Sequence, residues 1–131
     1  MELRTRESEL ADFEALWSVD QKCFEPGIAY SRRELASYMR QRGAFTFIGE
    51  TRETARSRWR IAGFLVGQTV RGKLGHVITI DVLPQARRTG IGTRLMSEAE
   101  ERLTKRGCEA IVLETAVDNS SAIAFYKRLG Y

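Results

Sequence analysis

Val82-Leu83-Pro84-Gln85-Ala86-Arg87-Arg88-Thr89-Gly90-Ile91-Gly92-Thr93 is the stretch on which the reading of this chain turns. An apolar strand ends at a proline, a basic loop follows, and glycines at alternate positions open a helix. The first amides of a helix have no partner inside it, and the macrodipole concentrates positive charge there, so the segment is built to receive phosphate. Glycine at alternate positions lets an anion reach the backbone with no β-carbon in the way. Arg87 and Arg88 add charge. The plainer alternative is a helix opened by a tight turn, with glycines that serve packing.

On the C-terminal side, Gly90 to Arg106 reads as a helix with Leu95, Ala99 and Leu103 on one stripe, closed by Gly107. Ala110 to Glu114 is a short apolar strand, and Asn119 is the expected N-cap of a last helix ending at Leu129-Gly130. Strand, crossover of roughly 20 residues, strand is a βαβ unit, so the later strand pairs parallel to the earlier one. Upstream, Phe45 to Glu50, Trp59 to Val70 and His76 to Leu83 read as strands. The turn Arg71-Gly72-Lys73-Leu74-Gly75 and the other short connections make them an antiparallel meander. Before them lie two helices. One begins near Ser8 and carries Leu10, Phe13, Leu16 and Trp17; the other opens with the capping box Ser31/Glu34, carries Leu35, Tyr38 and Met39, and stops at Gly43. The fold class is α/β: two N-terminal helices, an antiparallel meander, then βαβ and a last helix on a mixed sheet.

Composition bounds the function. The chain has 131 residues, 43 % hydrophobic and 29 % charged, which suits one domain spanning 1–131 with no linker or repeat. No run approaches the ~20 apolar residues of a membrane span. Met1-Glu2-Leu3-Arg4 starts no signal peptide, so the expected location is cytoplasmic, without membrane attachment. Cys23 and Cys108 lie far apart and His76 is the sole histidine, which excludes zinc-finger spacings and a histidine-based triad; no metal is expected. A net charge of +4 suits a polyanionic small ligand. Arg52, Arg56, Arg58 and Arg60, with Trp59 among them, read as a solvated hairpin, with nucleic-acid binding as the lesser alternative.

The phosphate-loop families can be tested on spacing. A Walker loop needs Gly-Lys-Ser/Thr, which this stretch lacks; a dinucleotide fingerprint needs a third glycine where Leu95 stands, although Glu114 could pass for its ribose-binding acid. Arg87-x-x-Gly90-x-Gly92 instead resembles the Gln/Arg-x-x-Gly-x-Gly/Ala signature of the GNAT superfamily of acetyl-CoA-dependent N-acetyltransferases. Asn119-Ser120-Ser121-Ala122-Ile123-Ala124-Phe125-Tyr126-Lys127-Arg128-Leu129-Gly130-Tyr131 is similar to that family's second motif, Asn-x-x-Ala-x-x-x-Tyr with a Leu-Gly-aromatic end. The loop Cys23 to Ser31 resembles the acceptor-side loop of the ribosomal-protein N-terminal (RimI-type) branch.

The resemblance implies a site. The strands matching His76–Val82 and Ala110–Thr115 would splay, with the pantetheine arm of acetyl-CoA between them, held by backbone groups of Ile80 and Val82. The Val82 N–H would polarise the thioester oxygen. The pyrophosphate would sit on the amides of Arg87, Arg88, Thr89, Gly90, Ile91, Gly92 and Thr93, and Asn119 would touch the arm besides capping its helix. Glu114 stands at the position of the RimI-type general base, at the carboxyl end of a parallel strand. His76 falls where other branches carry a catalytic Glu and is the second candidate. Tyr126 matches the general acid, although Ala122, Phe125, Tyr126 and Leu129 also form a core-facing stripe.

The implied activity is acetyl transfer from acetyl-CoA to a primary amine, foremost a protein or peptide N-terminal α-amine. Small amines, lysine side chains, aminoacyl-tRNA and a non-catalytic CoA-binding module stay open. Family members continue past the Leu-Gly-aromatic end into a two-strand hairpin, so the domain reads as C-terminally short. The edge Ile111-Val112-Leu113 is then expected either to pair between molecules as a homo-oligomer or to leave this form less stable than one extended by two strands, which light scattering across a concentration series and thermal melts of short and extended forms check.

Overall fold

A computed structural model describes residues 1–71, 73–114 and 120–131; Gly72, Thr115 and the expected cap Asn119 lie outside the described residues. The strands are β1 (Glu2–Glu7), β2 (Ala44–Arg52), β3 (Arg60–Val70), β4 (Leu74–Val82) and β5 (Ala110–Leu113). They form one five-stranded sheet in chain order. α1 (Phe13–Cys23) and α2 (Arg32–Arg40) lead to β2, α3 (Ile91–Lys105) crosses from β4 to β5, and α4 (Ser120–Arg128) follows. The expected meander is β2, β3 and β4, paired antiparallel, and β5 runs parallel to β4.

The pattern of apolar residues does not announce β1, which pairs antiparallel with β2 ahead of the two helices. Its residues Glu2-Leu3-Arg4-Thr5-Arg6-Glu7 carry charge at alternate positions, so no apolar period marks it. It is an edge strand held by ion pairs. Arg4 and Arg6 reach the same Glu50 oxygen at 2.8 and 3.2 Å, and Arg52 reaches Glu2 at 3.0 Å. Glu50 is only 5 % exposed, so two guanidinium groups compensate a carboxylate that water does not. Such charge on an edge also discourages pairing with another molecule.

The first helix starts later than expected. Leu10 belongs to a short 3-10 turn and is 99 % exposed, not part of the core stripe. Asp12 accepts the Glu9 N–H at 2.7 Å and pairs with Arg6, fixing the turn so that α1 begins at Phe13. The Ser31/Glu34 capping box of α2 is present in both directions.

The two sheet faces bury separate cores. Leu16, Val19 and Leu35 pack on Ile48, Phe64 and Val66. Leu95, Met96, Ala99 and Leu103 of α3 pack on Phe47, Leu65 and Val77, so the expected stripe does face the sheet. Neighbouring residues of β3 divide between the faces, as period-two alternation requires.

One irregularity shapes the end of the sheet. Val66 is opposite Thr79 and Gly67 is opposite Val77, which leaves Ile78 as an extra residue in β4. Such a bulge bends a strand and increases its twist. The ladder with β5 ends at Val77–Leu113, immediately before it, so the rest of β4 runs on past its parallel neighbour. Gly63 lets β3 follow the bent end closely: a Cβ there would lie 2.3 Å from the Asp81 carbonyl oxygen and 3.1 Å from the Val82 Cα. Gly63→Ala is therefore expected to lower stability by about 1–3 kcal/mol, read as a lower urea midpoint and melting temperature.

Candidate functional site

The end of β4 supplies an unusual backbone edge. Leu83 donates to the Ala62 carbonyl at 2.9 Å, which makes the Ala62–Leu83 pair hydrogen-bonded. With Gly63 opposite Val82 and Leu65 opposite Ile80, alternation along the antiparallel ladder then turns the N–H and C=O of Ile80 and Val82 away from β3. They face the side on which β5 has stopped. Two groups approach there: the Cys23 thiol lies 3.4 Å from the Val82 carbonyl oxygen, and Arg87 Nε donates to the same oxygen at 3.3 Å.

Beyond β4 the chain makes a 3-10 turn (Pro84–Ala86) and then changes hand twice. Arg88 has φ +64° and Gly90 has φ +92°, the latter as the N-cap of α3. A left-handed arginine is costly without a reason in its surroundings. The Thr89 hydroxyl fixes the turn by donating to the Ala86 carbonyl at 2.6 Å. No side chain caps α3 and its first turn holds no acidic residue, so the amides of Ile91, Gly92 and Thr93 have no partner within the helix and stay available to an anion. Gly92 serves packing as well: a Cβ would sit 3.3 Å from the Phe125 ring.

These parts surround a cleft of about 1100 Å³. Ile80, Asp81 and Val82 form one wall; Arg87, Arg88, Gly90, Gly92 and Thr93 form the end; Phe125 and Tyr126 of α4 form the opposite wall. Cys23 and Phe24 close the side toward α1. An extended chain with amide groups can bond along β4 while its anionic end rests on the α3 amides, so the residues present fit the phosphorylated arm that the sequence suggests.

The predicted residues divide. Ile80, Val82, Arg87, Arg88, Gly90, Gly92, Thr93 and Tyr126 all line the cleft. Thr89 and Ile91 belong to the same loop and helix start, Ile91 with its side chain buried in the core. Glu114 follows β5 directly, is exposed, and is not among the described lining residues. His76 is half-buried opposite Gln68 and Val112, on the paired part of β4 and away from the described lining. Tyr126 is 9 % exposed; burial first, and the Asp81 carboxyl second, hold its phenol above the usual range, so it remains a proton donor at neutral pH. Cys23, without an evident role in the sequence, stands in the cleft, but burial pushes its thiol up to about 12, so it is a neutral donor and not a nucleophile. Asp81 escapes the sequence reading; its signal is one acid inside an otherwise apolar strand end.

The arginine-rich segment is less free than its charge suggests. The guanidinium groups of Arg4 and Arg52 lie 4.2 and 4.3 Å from the Trp59 ring centre, and both arginines are ion-paired. The aromatic is occupied within the molecule, which counts against base stacking by this loop. Among the described residues no helix is long and apolar enough to cross a membrane.

Known proteins resemble this chain in sequence and in fold. The model of the acetyltransferase (GNAT) family matches residues 11–131. N-alpha-acetyltransferase 30 of Schizosaccharomyces pombe is 38 % identical over 65 residues, covering 50 % of this chain and 41 % of that protein. An N-alpha-acetyltransferase of Sulfurisphaera tokodaii is 45 % identical over 60 residues, 45 % of this chain and 36 % of its own. The matched segments thus span less than half the length of these curated relatives. The crystal structure of the ribosomal-protein-S18-alanine N-acetyltransferase from Escherichia coli superposes with a TM-score of 0.80 at 25 % identity, over 98 % of this chain and 77 % of that one. Ard1 of Thermoplasma volcanium shares the fold, with a TM-score of 0.82 at 23 % identity over 99 % of this chain and 82 % of that one.

Gly92→Glu places bulk and negative charge in the cradle. It is expected to abolish acetyl-CoA binding in calorimetry while circular dichroism shows a retained fold; binding as tight as wild type would place the anion elsewhere.

Proposed function

Because this chain belongs to the acetyltransferase (GNAT) family, we propose that it transfers the acetyl group of acetyl-CoA to a primary amine, with a protein or peptide N-terminal α-amine as the acceptor. The observation that carries the reading is the edge of β4 at Ile80 and Val82, turned away from β3 and toward the cleft, running into the left-handed turn at Arg88 and Gly90. The α-amine acceptor is supported by the names of the two N-alpha-acetyltransferase relatives and by the fold shared with a NatC complex bound to Gag peptide and CoA, with a TM-score of 0.80 at 22 % identity.

Bound acetyl-CoA supplies an acetyl thioester, whose carbonyl the amine attacks and whose thiolate departs. The chain's residues provide the rest. Ile80 and Val82 bond the arm of the co-substrate, and the Val82 N–H stabilises negative charge on the carbonyl oxygen. Arg87 and Arg88 with the amides through Thr93 hold its phosphates. Tyr126, held protonated by its burial, gives a proton to the departing sulfur. Glu114 takes the proton from the amine through water, which its exposed position at the strand end requires. His76 is the alternative base. That Glu114 is not among the described lining residues also favours a second reading, a CoA-binding module without turnover; free-thiol release in the presence of peptide amines separates the two.

Tyr126→Phe keeps the ring and removes the proton, so kcat is expected to fall by roughly 10²-fold or more with acetyl-CoA affinity unchanged in calorimetry. Glu114→Gln is expected to slow turnover at neutral pH and to recover partly at high pH, where the amine loses its own proton. An unaltered pH–rate profile would move the role to His76 or to solvent. Rates on N-terminal peptides, lysine peptides and polyamines rank the acceptors, and activity on polyamines alone would end the α-amine assignment.

A further inference from the structure

Where α1 crosses the end of β4, two acids meet in the interior. Asp20 is 0 % exposed and Asp81 is 1 % exposed. Each has one oxygen satisfied: the Tyr30 N–H donates to Asp20 Oδ2 at 2.7 Å, and the Thr79 hydroxyl donates to Asp81 Oδ1 at 2.6 Å. The remaining oxygens, Asp20 Oδ1 and Asp81 Oδ2, are buried and receive no donor from the described residues. The Asp20 carboxyl lies close enough to Asp81 to bear on its proton affinity. The titratable groups facing the pair are Cys23 from α1, Tyr30 from the loop before α2 and Tyr126 from α4, all neutral at neutral pH. The nearby Arg87 spends its Nε on the Val82 carbonyl. Two facing carboxylates would repel strongly in such a setting, whereas one proton turns the repulsion into a charge-assisted O–H···O⁻ bond.

We propose that Asp20 and Asp81 share a single proton, Asp81 Oδ2–H donating to Asp20 Oδ1, and that this bond is a positioning device holding residues 24–30 against the cleft end of β4. The link is short: Asp20 grips the backbone of Tyr30, Asp81 belongs to the cleft wall, and Phe24 at the start of the loop lines the same cleft. Burial first, and Asp20 second, raise the proton affinity of Asp81 well above that of an ordinary carboxyl. A carboxyl with a folded-state pKa above its unfolded value contributes stability fully present below about pH 4 and lost as pH rises through the folded value. The effect on catalysis rests on the acetyl-transfer reading; the proton itself does not.

The test uses the whole chain. In the infrared, the wild type at neutral pH is expected to show the carbonyl band of a protonated carboxylic acid, absent from Asp81→Asn. An amide supplies permanently the donor that the proton supplies conditionally, so Asp81→Asn and Asp20→Asn each fold. Each is expected to melt within a few degrees of wild type (~5 °C or less), with a flatter pH dependence above about pH 4. The double variant faces one NH₂ group with another and is expected to melt roughly 10 °C below either single variant. Absence of the acid band in wild type, or a double variant with merely additive effects, overturns the shared proton. With a peptide acceptor, the wild-type acceptor KM is expected to rise several-fold toward alkaline pH at constant acetyl-CoA affinity, while that of Asp81→Asn stays level. A level wild-type KM overturns the positioning role. If no amine is acetylated, the acetyl-transfer reading fails while the infrared and melting results still decide the pair.

Discussion

A strand inside a sheet ordinarily has a neighbouring strand along both edges, and among the described residues the last third of β4 has one along a single edge. Backbone N–H and C=O groups removed from water need partners, so a strand end that faces a cleft is a demand for a ligand or for ordered solvent. The rest of the molecule is arranged around that demand. β3 follows the bent strand closely because Gly63 presents no side chain to it. Helix α1 and helix α4 wall the two sides, and the turn at Arg88 and Gly90 delivers the α3 amides to the open end. Removing the extra residue from the ladder would leave each of these elements without its reason.

The segment from Val82 to Thr93 is readable because it joins three local rules: a strand stop, a basic turn and a glycine-opened helix. The α3 stripe and the parallel strand after it are readable because apolar spacing and crossover length are properties of the chain alone. β1 is not, since its alternating side chains are charged and find their meaning only in Glu50 and Arg52, more than forty residues away. Leu10 misleads for the opposite reason: an apolar residue at helical spacing is displaced onto the surface by the Asp12 turn. Among the site residues, those on the phosphate loop are carried by spacing. Asp81 can be seen only as an exception, and its partner Asp20 not at all, because an acid on an amphipathic helix ordinarily faces water.

Charge counting misleads in a related way. The net positive balance and the arginine run suggest a cationic surface, yet Arg4, Arg6 and Arg52 are engaged with Glu50, Asp12, Glu2 and the ring of Trp59. Those cations hold an edge strand whose apolar contribution is small. Among the cations that line the cleft, Arg87 and Arg88 belong to the turn after β4, placed where backbone dipoles already point the same way.

The bulge at Ile78 sets both alternations of β4 at once. Before it, Val77 sends its side chain toward α3; after it, Thr79 and Asp81 share the face toward α1 while Ile80 returns to the α3 side. The same slip decides which peptide groups reach the cleft. Chain length in this strand is therefore a different kind of variable from side-chain identity. Exchanging one apolar residue for another alters packing by degrees, whereas deleting a single residue removes the bend itself. The path of the strand beyond Val77 would change, although every side chain that lines the cleft had been kept.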